Sequence, residues 1–334
     1  MATVDITVMG AGVFGLSVAY ACARRGARVR AIDPNGVAAG ASGGIVGALA
    51  PHVPENWNAK KAFQFESLIM AKEFWAGVSQ LASGDVGYIR SGRLQPLSDD
   101  HAVSLAKARA ETAQELWEGK AVWEVIPAGD ADWMPPSPTG LVIRDTLSGH
   151  IHPRRATYAL ADAVVALGGE VVTAGSAEGQ VVWATGADGV KEIGGNGVKG
   201  QAALLDFDAA GQPQLFADAL HIIPHLDATV AVGSTSERDY EDPAGTDSAL
   251  DDVIARAITA FPVLEDAPVL TRWAGVRPRS RSRAPVLGPH PTRAGQFIAN
   301  GGFKIGFGMA PKVGEVMADL LLDGIDSIPQ DFRA

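Results

Sequence analysis

The stretch that decides the fold is Val4-Asp5-Ile6-Thr7-Val8-Met9-Gly10-Ala11-Gly12-Val13-Phe14-Gly15. Its first half is a short, mostly apolar run typical of a buried parallel strand. Its second half matches G-x-G-x-x-G at the point where a strand passes into a helix. There the first glycine permits a tight turn, the second lets the backbone approach a pyrophosphate, and the third lets helix and strand pack closely. The stretch therefore predicts a Rossmann-type dinucleotide-binding turn, with the N–H groups at the helix start facing the phosphates.

The residues that follow complete a β-α-β unit. A helical pattern runs to Arg24-Arg25-Gly26, with Gly26 as its C-cap, and Ala27 to Ile32 predicts the second strand. Asp33 comes directly after that strand, where an acid binds a pair of ribose hydroxyls. An acid at this position disfavours a 2′-phosphate, so the sequence argues against NADP.

Three later stretches bear on which dinucleotide is bound. Gly40 to Pro51 is a run of small residues that lets backbone amides pack against a second phosphate and a flat ring system. Val182 to Ala187 is a strand that ends in Ala-Thr-Gly, and Gly301 to Gly306 opens the final helical region. The predicted cofactor-binding residues are Gly10, Gly12, Val13, Phe14, Gly15, Asp33, Pro34, Asn35, Ala41, Ser42, Gly43, Gly47, Ala48, Leu49, Ala184, Thr185, Gly186, Gly301, Gly302, Phe303, Lys304, Ile305 and Gly306.

These four stretches, in this order, resemble the D-amino acid oxidase and glycine oxidase superfamily of FAD enzymes, and the resemblance covers nearly the whole chain. Trp273 to Pro278 is similar to the family's W-x-G-x-R-P strand, and Lys199-Gly200-Gln201 to its K-G-x element. Within the superfamily the chain looks most like the glycine oxidases of thiamine biosynthesis. The resemblance implies FAD as cofactor and hydride transfer from the α-carbon of a small amino acid to the flavin. It also implies dioxygen or another electron acceptor, and a thiazole synthase as partner.

The same resemblance suggests three residues on the substrate side. Arg277 matches the family's carboxylate-binding arginine, whose planar fork suits two-pronged recognition; the alternative is a structural salt bridge. Lys304 stands where the family has an arginine, and either contacts substrate differently or faces solvent. His221 stands where the family has a tyrosine, and either hydrogen-bonds the carboxylate or packs in a sheet.

Three functional hypotheses follow. The first is FAD-dependent oxidative deamination of glycine or another small amino acid to an imine, which would feed thiazole synthesis. The second keeps the fold and changes the chemistry, to a D-amino acid dehydrogenase or a secondary-amine oxidase of the sarcosine type. The third is a flavin-binding protein without turnover, which the presence of Arg277 disfavours.

Composition narrows the class of protein. The chain has 334 residues and a net charge of −10, which argues against a nucleic-acid partner. Its single cysteine, Cys22, excludes an internal disulfide and fits a reducing compartment. We find no apolar segment long enough to span a bilayer and no basic leader of a signal peptide, so we expect a cytoplasmic protein. His150 and His152 have H-x-H spacing without an apparent third ligand, so no metal site is expected. The oligomeric state is left open.

The fold class expected from these features is a two-domain α/β flavoprotein. A Rossmann-type FAD domain with a mostly parallel sheet would comprise residues 1–51, 150–200 and 270–334. A substrate domain with a mixed sheet would comprise residues 52–149 and 201–269. The pattern predicts helices over 59–82, 99–118, 154–167 and 311–322, and a hairpin from Leu220 to Gly233.

Overall fold

The computed structural model describes residues 4–334. Its α-helices are α1 (Val13–Arg24), α2 (Ala59–Leu81), α3 (Asp100–Leu116), α4 (Pro153–Ala166), α5 (Gly186–Glu192), α6 (Ser248–Ala260) and α7 (Gly306–Ala318). Its strands are β1 (Ile6–Met9), β2 (Val29–Ile32), β3 (Ala48–Leu49), β4 (Arg93–Pro96), β5 (Trp123–Pro127), β6 (Leu141–Asp145), β7 (Gly149–His150), β8 (Glu170–Val172), β9 (Gln180–Trp183), β10 (Asn196–Asp206), β11 (Gln214–Ala217), β12 (Leu220–Pro224), β13 (Thr229–Gly233), β14 (Val269–Arg279), β15 (Val286–Pro289) and β16 (Phe297–Asn300).

A six-stranded sheet carries the N-terminal β-α-β unit. Its strand order is β15-β16-β9-β1-β2-β8, and every pair is parallel except β15 with β16. The central strand β1 is buried on both faces, which explains why it is apolar almost throughout. The mostly parallel sheet expected from the sequence is confirmed.

An eight-stranded sheet forms the second layer of the molecule. Its order is β14-β10-β13-β12-β11-β4-β6-β5, and its pairs are antiparallel except for β11 with β4. The predicted hairpin is present as β12 and β13, with His221 opposite Gly233. Helix α6 covers one face of this sheet and buries an apolar core there, whose members include Leu205, Ile222 and Phe261.

The largest apolar core lies among the helices of the first layer. Helix α2 packs against α7 and α4, and α1 packs against the same two helices. Trp75 and Trp117 are both fully buried in this core. The division into domains stays a prediction: β10 and β14 pair along their length in the eight-stranded sheet, whereas the predicted boundaries assign 196–200 and 270–279 to the FAD domain.

The last helix begins earlier than the sequence pattern indicates. It starts at Gly306, five residues before the predicted start, and continues after Ala318 as a π-helical turn over Asp319–Asp323. Pro311 therefore lies inside the helix, although proline is most common in the first helical turn. Among residues 4–334, no helix is both long enough and apolar enough to cross a membrane.

The loop over residues 40–51 brings the two layers together. Ile45 packs with Ala202, Ile223 and Ala231 on the face of the eight-stranded sheet that α6 leaves uncovered, and Trp273 packs beside them. The same loop begins next to the glycine-rich turn after β1, because Ser42 contacts the start of α1. The candidate site therefore lies between the two sheets.

Candidate cofactor and substrate site

The turn between β1 and α1 can be built only with glycine at two of its positions. Gly10 has a φ of +117°, and a Cβ on it would lie 2.3 Å from the carbonyl oxygen of Ala184. A Cβ on Gly15 would lie 2.1 Å from the carbonyl oxygen of Gly10. Contacts this short do not occur between real atoms, so β1, β9 and α1 pack at a distance that excludes a side chain. The role predicted for these glycines agrees with the geometry.

The start of α1 presents backbone donors together with a hydroxyl group. The N-cap residue, Gly12, has no side chain to cap the helix, and the first turn holds no acidic residue. The N–H of Val13 donates to the Oγ of Ser42 at 2.9 Å, and the missing side chain of Gly12 leaves room for that hydroxyl. Uncapped amides and a neighbouring hydroxyl at the positive end of a helix are a cradle for a phosphate.

Asp33 is fixed at the carboxyl end of β2. Its Oδ2 accepts a hydrogen bond from the N–H of Ala11 at 2.9 Å, and its Oδ1 accepts one from the N–H of Asn35 at 3.0 Å. Each carboxylate oxygen keeps a lone pair for a further donor, as a ribose hydroxyl pair requires. Pro34 and Asn35 themselves are exposed at the edge of this turn.

The loop over residues 40–51 is rich in small residues because other backbone segments pass close to it. A Cβ on Gly43 would lie 2.2 Å from the carbonyl oxygen of Ala38, and one on Gly47 would lie 1.8 Å from that of Ile151. The loop is also held by its carbonyl groups: Gly43 accepts from Arg154 Nε at 3.1 Å, and Ile45 lies 2.8 Å from His225 Nε2. Ala48 and Leu49 then form β3, which pairs with β7.

The two remaining predicted stretches, Val182 to Ala187 and Gly301 to Gly306, lie next to the glycine-rich turn after β1. Asn300, at the end of β16, donates to the carbonyl of Gly186 at 3.0 Å. A Cβ on Gly302 would lie 3.0 Å from the ring of Phe14, so this glycine lets the chain pass over α1. Thus all four stretches converge at the carboxyl ends of parallel strands, where nucleotides bind in open α/β sheets. The glycine cradle, the hydroxyl and the acid fit a bound dinucleotide.

Arg277 crosses the neighbouring strand instead of pointing away from the sheet. A Cβ on Gly200 would lie 1.8 Å from its Nη2, so the glycine of the K-G-x element provides the space for this guanidinium. Its Nη2 donates to the Ser234 hydroxyl, and Nη1 and Nη2 approach the Thr235 carbonyl at 3.3 and 3.2 Å. Among residues 4–334 its hydrogen-bond partners are thus all neutral. Burial lowers the pKa of Arg277 to about 10.

His221 lies on the same face of the sheet, on β12. Its ring packs against Phe216 with 4.8 Å between centroids. Burial, together with the charges of Arg93, Lys304 and Arg277, lowers the pKa of His221 to about 3. The imidazole is therefore neutral at pH 7, and its Nδ1 has no hydrogen-bond partner among the described residues.

Lys304 lies where the turn after β16 opens to solvent. Its side chain is exposed, with Nζ 5.8 Å from the centroid of the Phe303 ring. Partial desolvation and then the charge of Arg277 lower its pKa. The two residues are therefore close enough for their charges to interact, as the prediction that both bind substrate requires.

Two groups in this region are not among the residues predicted from the sequence. Arg93, the first residue of β4, is 7% exposed and forms an ion pair with the fully buried Asp145. The strand Arg-Leu-Gln-Pro has no pattern that distinguishes this arginine from one at the surface. The fold also brings His225 next to His152, with ring centroids 4.8 Å apart, and near His150. Within residues 4–334, however, no group of histidine, cysteine or acidic side chains is arranged to hold a metal ion.

Comparison with known families agrees with this geometry. The family model DAO, described as FAD dependent oxidoreductase, matches residues 5–320. This chain belongs to that family. Its cofactor is accordingly FAD, and the protein is an FAD-dependent oxidoreductase.

Curated relatives of this oxidoreductase include glycine oxidases. It is 33% identical over 162 residues to glycine oxidase of Pseudomonas putida, which is 48% of this chain and 43% of that enzyme. It is 26% identical over 361 residues to the bifunctional protein ThiO/ThiG of Nostoc sp., covering 96% of this chain and 53% of that protein. With glycine oxidase of Bacillus licheniformis the identity is 25% over 349 residues, covering 95% and 93%. The chain thus spans about half the length of the first two relatives and nearly all of the third.

Solved structures share the whole fold. The oxidoreductase superposes on glycine oxidase from Geobacillus kaustophilus with a TM-score of 0.85 and 20% identity, covering 98% of this chain and 97% of that one. Iminodiacetate oxidase from Chelativorans sp. BNC1 gives a TM-score of 0.84 at 20% identity, covering 98% of both chains. At these identities the likeness shows the fold alone, and it confirms the two-domain flavoprotein expected from the sequence.

Proposed function

We propose that this FAD-dependent oxidoreductase oxidises the amine of glycine or another small amino acid to an imine. FAD, when bound, supplies the acceptor for the two electrons. The substrate loses a hydride from its α-carbon while the nitrogen lone pair forms the C=N bond, and water then hydrolyses the imine to an oxo acid and ammonia. The dinucleotide would be held by the four converging stretches, and the substrate by groups on the eight-stranded sheet.

The observation that carries this proposal is the state of Arg277. A guanidinium that is largely buried and bonded only to neutral groups is costly, and a carboxylate ligand removes that cost. Its planar fork binds a carboxylate through two parallel hydrogen bonds, which fixes the direction of the α-carbon as well as its position. We therefore assign Arg277 to the α-carboxylate.

His221 and Lys304 would complete the recognition of substrate. A neutral imidazole can donate one hydrogen bond to the carboxylate without adding charge to a region that already holds cations. Lys304 would add a point charge at the open side of the site. An arginine at this position would instead offer a planar pair of donors. The cations around His221 also disfavour a protonated amine, so they favour the neutral amine that hydride loss requires.

Lys304 and His221 also give a reason to consider a second candidate. Both replace the arginine and tyrosine that the resembling glycine oxidases carry, and both change the shape of the carboxylate end of the pocket. A pocket of different shape fits a D-amino acid dehydrogenase or a secondary-amine oxidase of the sarcosine type. Comparing hydrogen peroxide yield with dye reduction, for glycine, D-alanine and sarcosine in parallel, distinguishes these activities.

We further propose a thiazole synthase as the acceptor of the imine. The support is the Nostoc relative, whose name joins ThiO and ThiG in one bifunctional protein and of which this chain spans 53%. Because an imine hydrolyses in water, delivery to a partner enzyme would be favoured by direct contact. Co-purification of this oxidoreductase with the thiazole synthase tests this step. As a control, a single-domain FAD enzyme of another family replaces the oxidoreductase.

The first experiment is anaerobic mixing of the flavin-loaded protein with glycine while the visible flavin absorbance is followed. We expect the flavin band to bleach, because each substrate molecule that is oxidised reduces one FAD by two electrons. Acetate, which has the carboxylate but no amine, serves as the control and should leave the band intact. A band that persists with glycine, D-alanine and sarcosine alike would refute amino-acid oxidation.

A further inference from the structure

One buried arginine on the substrate face has no part in the function proposed so far. Arg93 lies on β4, and its side chain projects from the same face of the sheet as Phe216 and His221, because the strands β4, β11 and β12 are neighbours in register. This face is the one turned toward the 40–51 loop, since Ile223 on β12 packs against Ile45 there. Arg93 therefore borders the same space as the groups assigned to the substrate.

The guanidinium of Arg93 is held from one side only. Its Nε lies 2.9 Å from Oδ2 of Asp145, and Asp145 is itself fixed by the N–H of Ser148, which donates to Oδ1 at 2.7 Å. The rings of Trp123 and Phe216 flank the guanidinium, each with its centroid 6.0 Å from the Cζ atom. Within residues 4–334 the buried Nε and Oδ2 make this ion pair without a well-aligned hydrogen bond, so the guanidinium keeps donor capacity. A rigidly placed arginine thus retains free donors.

Electrostatics place the same arginine near His221. Among the charges that lower the pKa of this histidine, that of Arg93 has the largest effect, ahead of Lys304 and Arg277. Three cations consequently surround one neutral imidazole. Asp145 balances one of these charges and an α-carboxylate bound at Arg277 would balance another, so one positive charge remains for a further anionic group.

We propose that Arg93 binds a second anionic group of the substrate, so that the preferred substrates are amines that carry two carboxylates. This inference rests on the proposed function, because it takes the α-carboxylate to be bound by Arg277. The distal carboxylate would bind the terminal nitrogens of Arg93, while Asp145 keeps the guanidinium in place. Arg93 would then determine specificity and Asp145 would act as a positioning residue.

The spacing of the sheet defines the length of such a substrate. Neighbouring strands lie about 4.8 Å apart, and β4 is five strands from β14, so the backbones of Arg93 and Arg277 lie roughly 24 Å apart. Arg277 spans part of this distance, because its guanidinium reaches Ser234 just after β13. The guanidinium of Arg93 lies between the rings of Phe216 and Trp123, and its partner Asp145 lies on the side away from His221. The two carboxylates must therefore be separated by several bonds, as in glutamate or in an N-(carboxyalkyl) amino acid, and glycine would be a poor substrate by comparison.

A purely structural ion pair is the competing explanation, and it predicts different behaviour. A buried pair contributes little net stability compared with apolar side chains of similar volume, so stability alone does not require Arg93 and Asp145. If the pair were only structural, its replacement as a unit would leave the choice among substrates unchanged. If Arg93 binds substrate, the discrimination between charged and neutral side chains would disappear.

The experiment compares glutamate with glutamine, both enantiomers of each, on the flavin-loaded enzyme. The two have nearly the same shape and differ in one charge, so we expect kcat/KM for the preferred enantiomer of glutamate to exceed that for glutamine by about 10-fold or more. In the double variant Arg93→Met/Asp145→Asn, which removes both charges and avoids an unpaired buried carboxylate, the ratio should approach 1. The double variant Arg144→Met/Glu124→Gln removes an exposed ion pair of the same sheet and should keep the ratio of the parent.

Each outcome decides between the two proposals. Oxidation of glycine with equal rates for glutamate and glutamine would overturn the inference and keep the proposed function. A preference for glutamate that survives in the Arg93 double variant would also overturn it.

If no amine reduces the flavin, the proposed function fails. The anion site at Arg93 is then tested by the binding of carboxylates that cannot be oxidised. Glutarate, which has two carboxylates and no amine, should perturb the flavin absorbance at a concentration about 10-fold lower than butyrate. This difference should vanish in the Arg93 double variant. Equal binding of glutarate and butyrate by the parent enzyme would refute the second anion site.

Discussion

The cofactor side and the substrate side of this protein are specified by different parts of the chain. On the cofactor side, glycines let backbone segments approach each other, as where a Cβ on Gly15 would lie 2.1 Å from the carbonyl oxygen of Gly10. On the substrate side, long side chains reach across strands, as Arg277 reaches over Gly200. The cofactor side tolerates almost no added atom. On the substrate side, in contrast, residues can be substituted without a change of fold. This difference teaches that the cofactor is fixed by the fold and the substrate is not.

The largest effect is expected from adding one methyl group to the cofactor side. In Gly47→Ala the new Cβ would lie 1.8 Å from the carbonyl oxygen of Ile151, so the loop must move away from β7. We expect the free energy of unfolding to fall by at least about 3 kcal/mol and bound FAD to be lost from the purified protein. Chemical denaturation and the flavin absorbance of the purified variant measure the two effects.

Gly40→Ala is the matched control for this variant. Gly40 belongs to the same loop, and a Cβ on it would meet nothing within 4 Å. It should retain FAD and unfold within about 0.5 kcal/mol of the parent. Equal loss of FAD in both variants would show that the loop is sensitive to composition and not to close approach.

The substrate side should respond in the opposite manner, with a loss of activity and no loss of stability. In Arg277→Met the buried charge disappears together with the carboxylate-binding fork. We expect kcat/KM to fall by about 10²- to 10³-fold, while FAD content and the melting temperature stay the same or rise. Steady-state kinetics and thermal unfolding of the same preparation measure both. Arg272→Met, which removes an exposed arginine of the same strand, should alter neither, and a parallel drop in melting temperature for Arg277→Met would contradict this division of roles.

The three histidines behind the 40–51 loop make its stability depend on pH. Burial lowers the pKa of His150 and of His152 to about 4, and that of His225 is lowered as well. A histidine whose pKa is lowered by folding binds fewer protons in the folded state, so the free energy of unfolding should decrease as pH falls from about 6.5 toward 4. We expect a decrease on the order of 1–3 kcal/mol between pH 7.5 and pH 5, measured by urea unfolding.

A substitution of one buried histidine tests whether these residues cause the pH dependence of stability. His150→Gln should reduce the difference in unfolding free energy between the two pH values, because one group that must stay neutral is gone. His101→Gln, which replaces an exposed histidine of α3, should leave that difference unchanged. If His150→Gln unfolds with the same pH dependence as the parent, the buried histidines are not the cause.

The smallest effect is expected at Asp33. Asp33→Asn keeps the shape and part of the hydrogen bonding to the amides of Ala11 and Asn35, but weakens the acceptor offered to the ribose. We expect FAD to dissociate about 10-fold more readily, with little change in the stability of the apoprotein. Titration of the apoprotein with FAD gives the dissociation constant. Asp208→Asn, in a remote turn where the carboxylate also accepts a backbone N–H, should bind FAD as the parent does.

The sequence predicted the cofactor side in detail because its signals are local. The G-x-G-x-x-G turn and Asp33 lie within one β-α-β unit, so their spacing along the chain already reflects their positions in space. The small-residue run could be recognised for the same reason, and the structure shows what each glycine avoids. The last helix begins at Gly306 and not at the predicted residue 311, because it accommodates Pro311 in its interior.

The substrate side could be predicted only where a residue belongs to a recognisable motif. Arg277 was found through W-x-G-x-R-P, and the role of Gly200 beneath it became visible only in the fold. Arg93 and Asp145 were missed because they are 52 residues apart in sequence and meet only when β4 pairs with β6. Likewise, His225 joins His150 and His152 only through the packing of β12 and β13 against the 40–51 loop.

The sequence by itself determined the Rossmann-type unit, the class of cofactor and the family, because close approach of backbone to phosphate demands glycine at fixed spacing. Only the tertiary structure decided which charges share the substrate space. Arg93, His221, Lys304 and Arg277 come from four different segments, and each residue type alone is compatible with a surface position or a salt bridge. Their meaning depends on which strands are neighbours, and the pairing of distant strands is not a property of any local stretch of sequence.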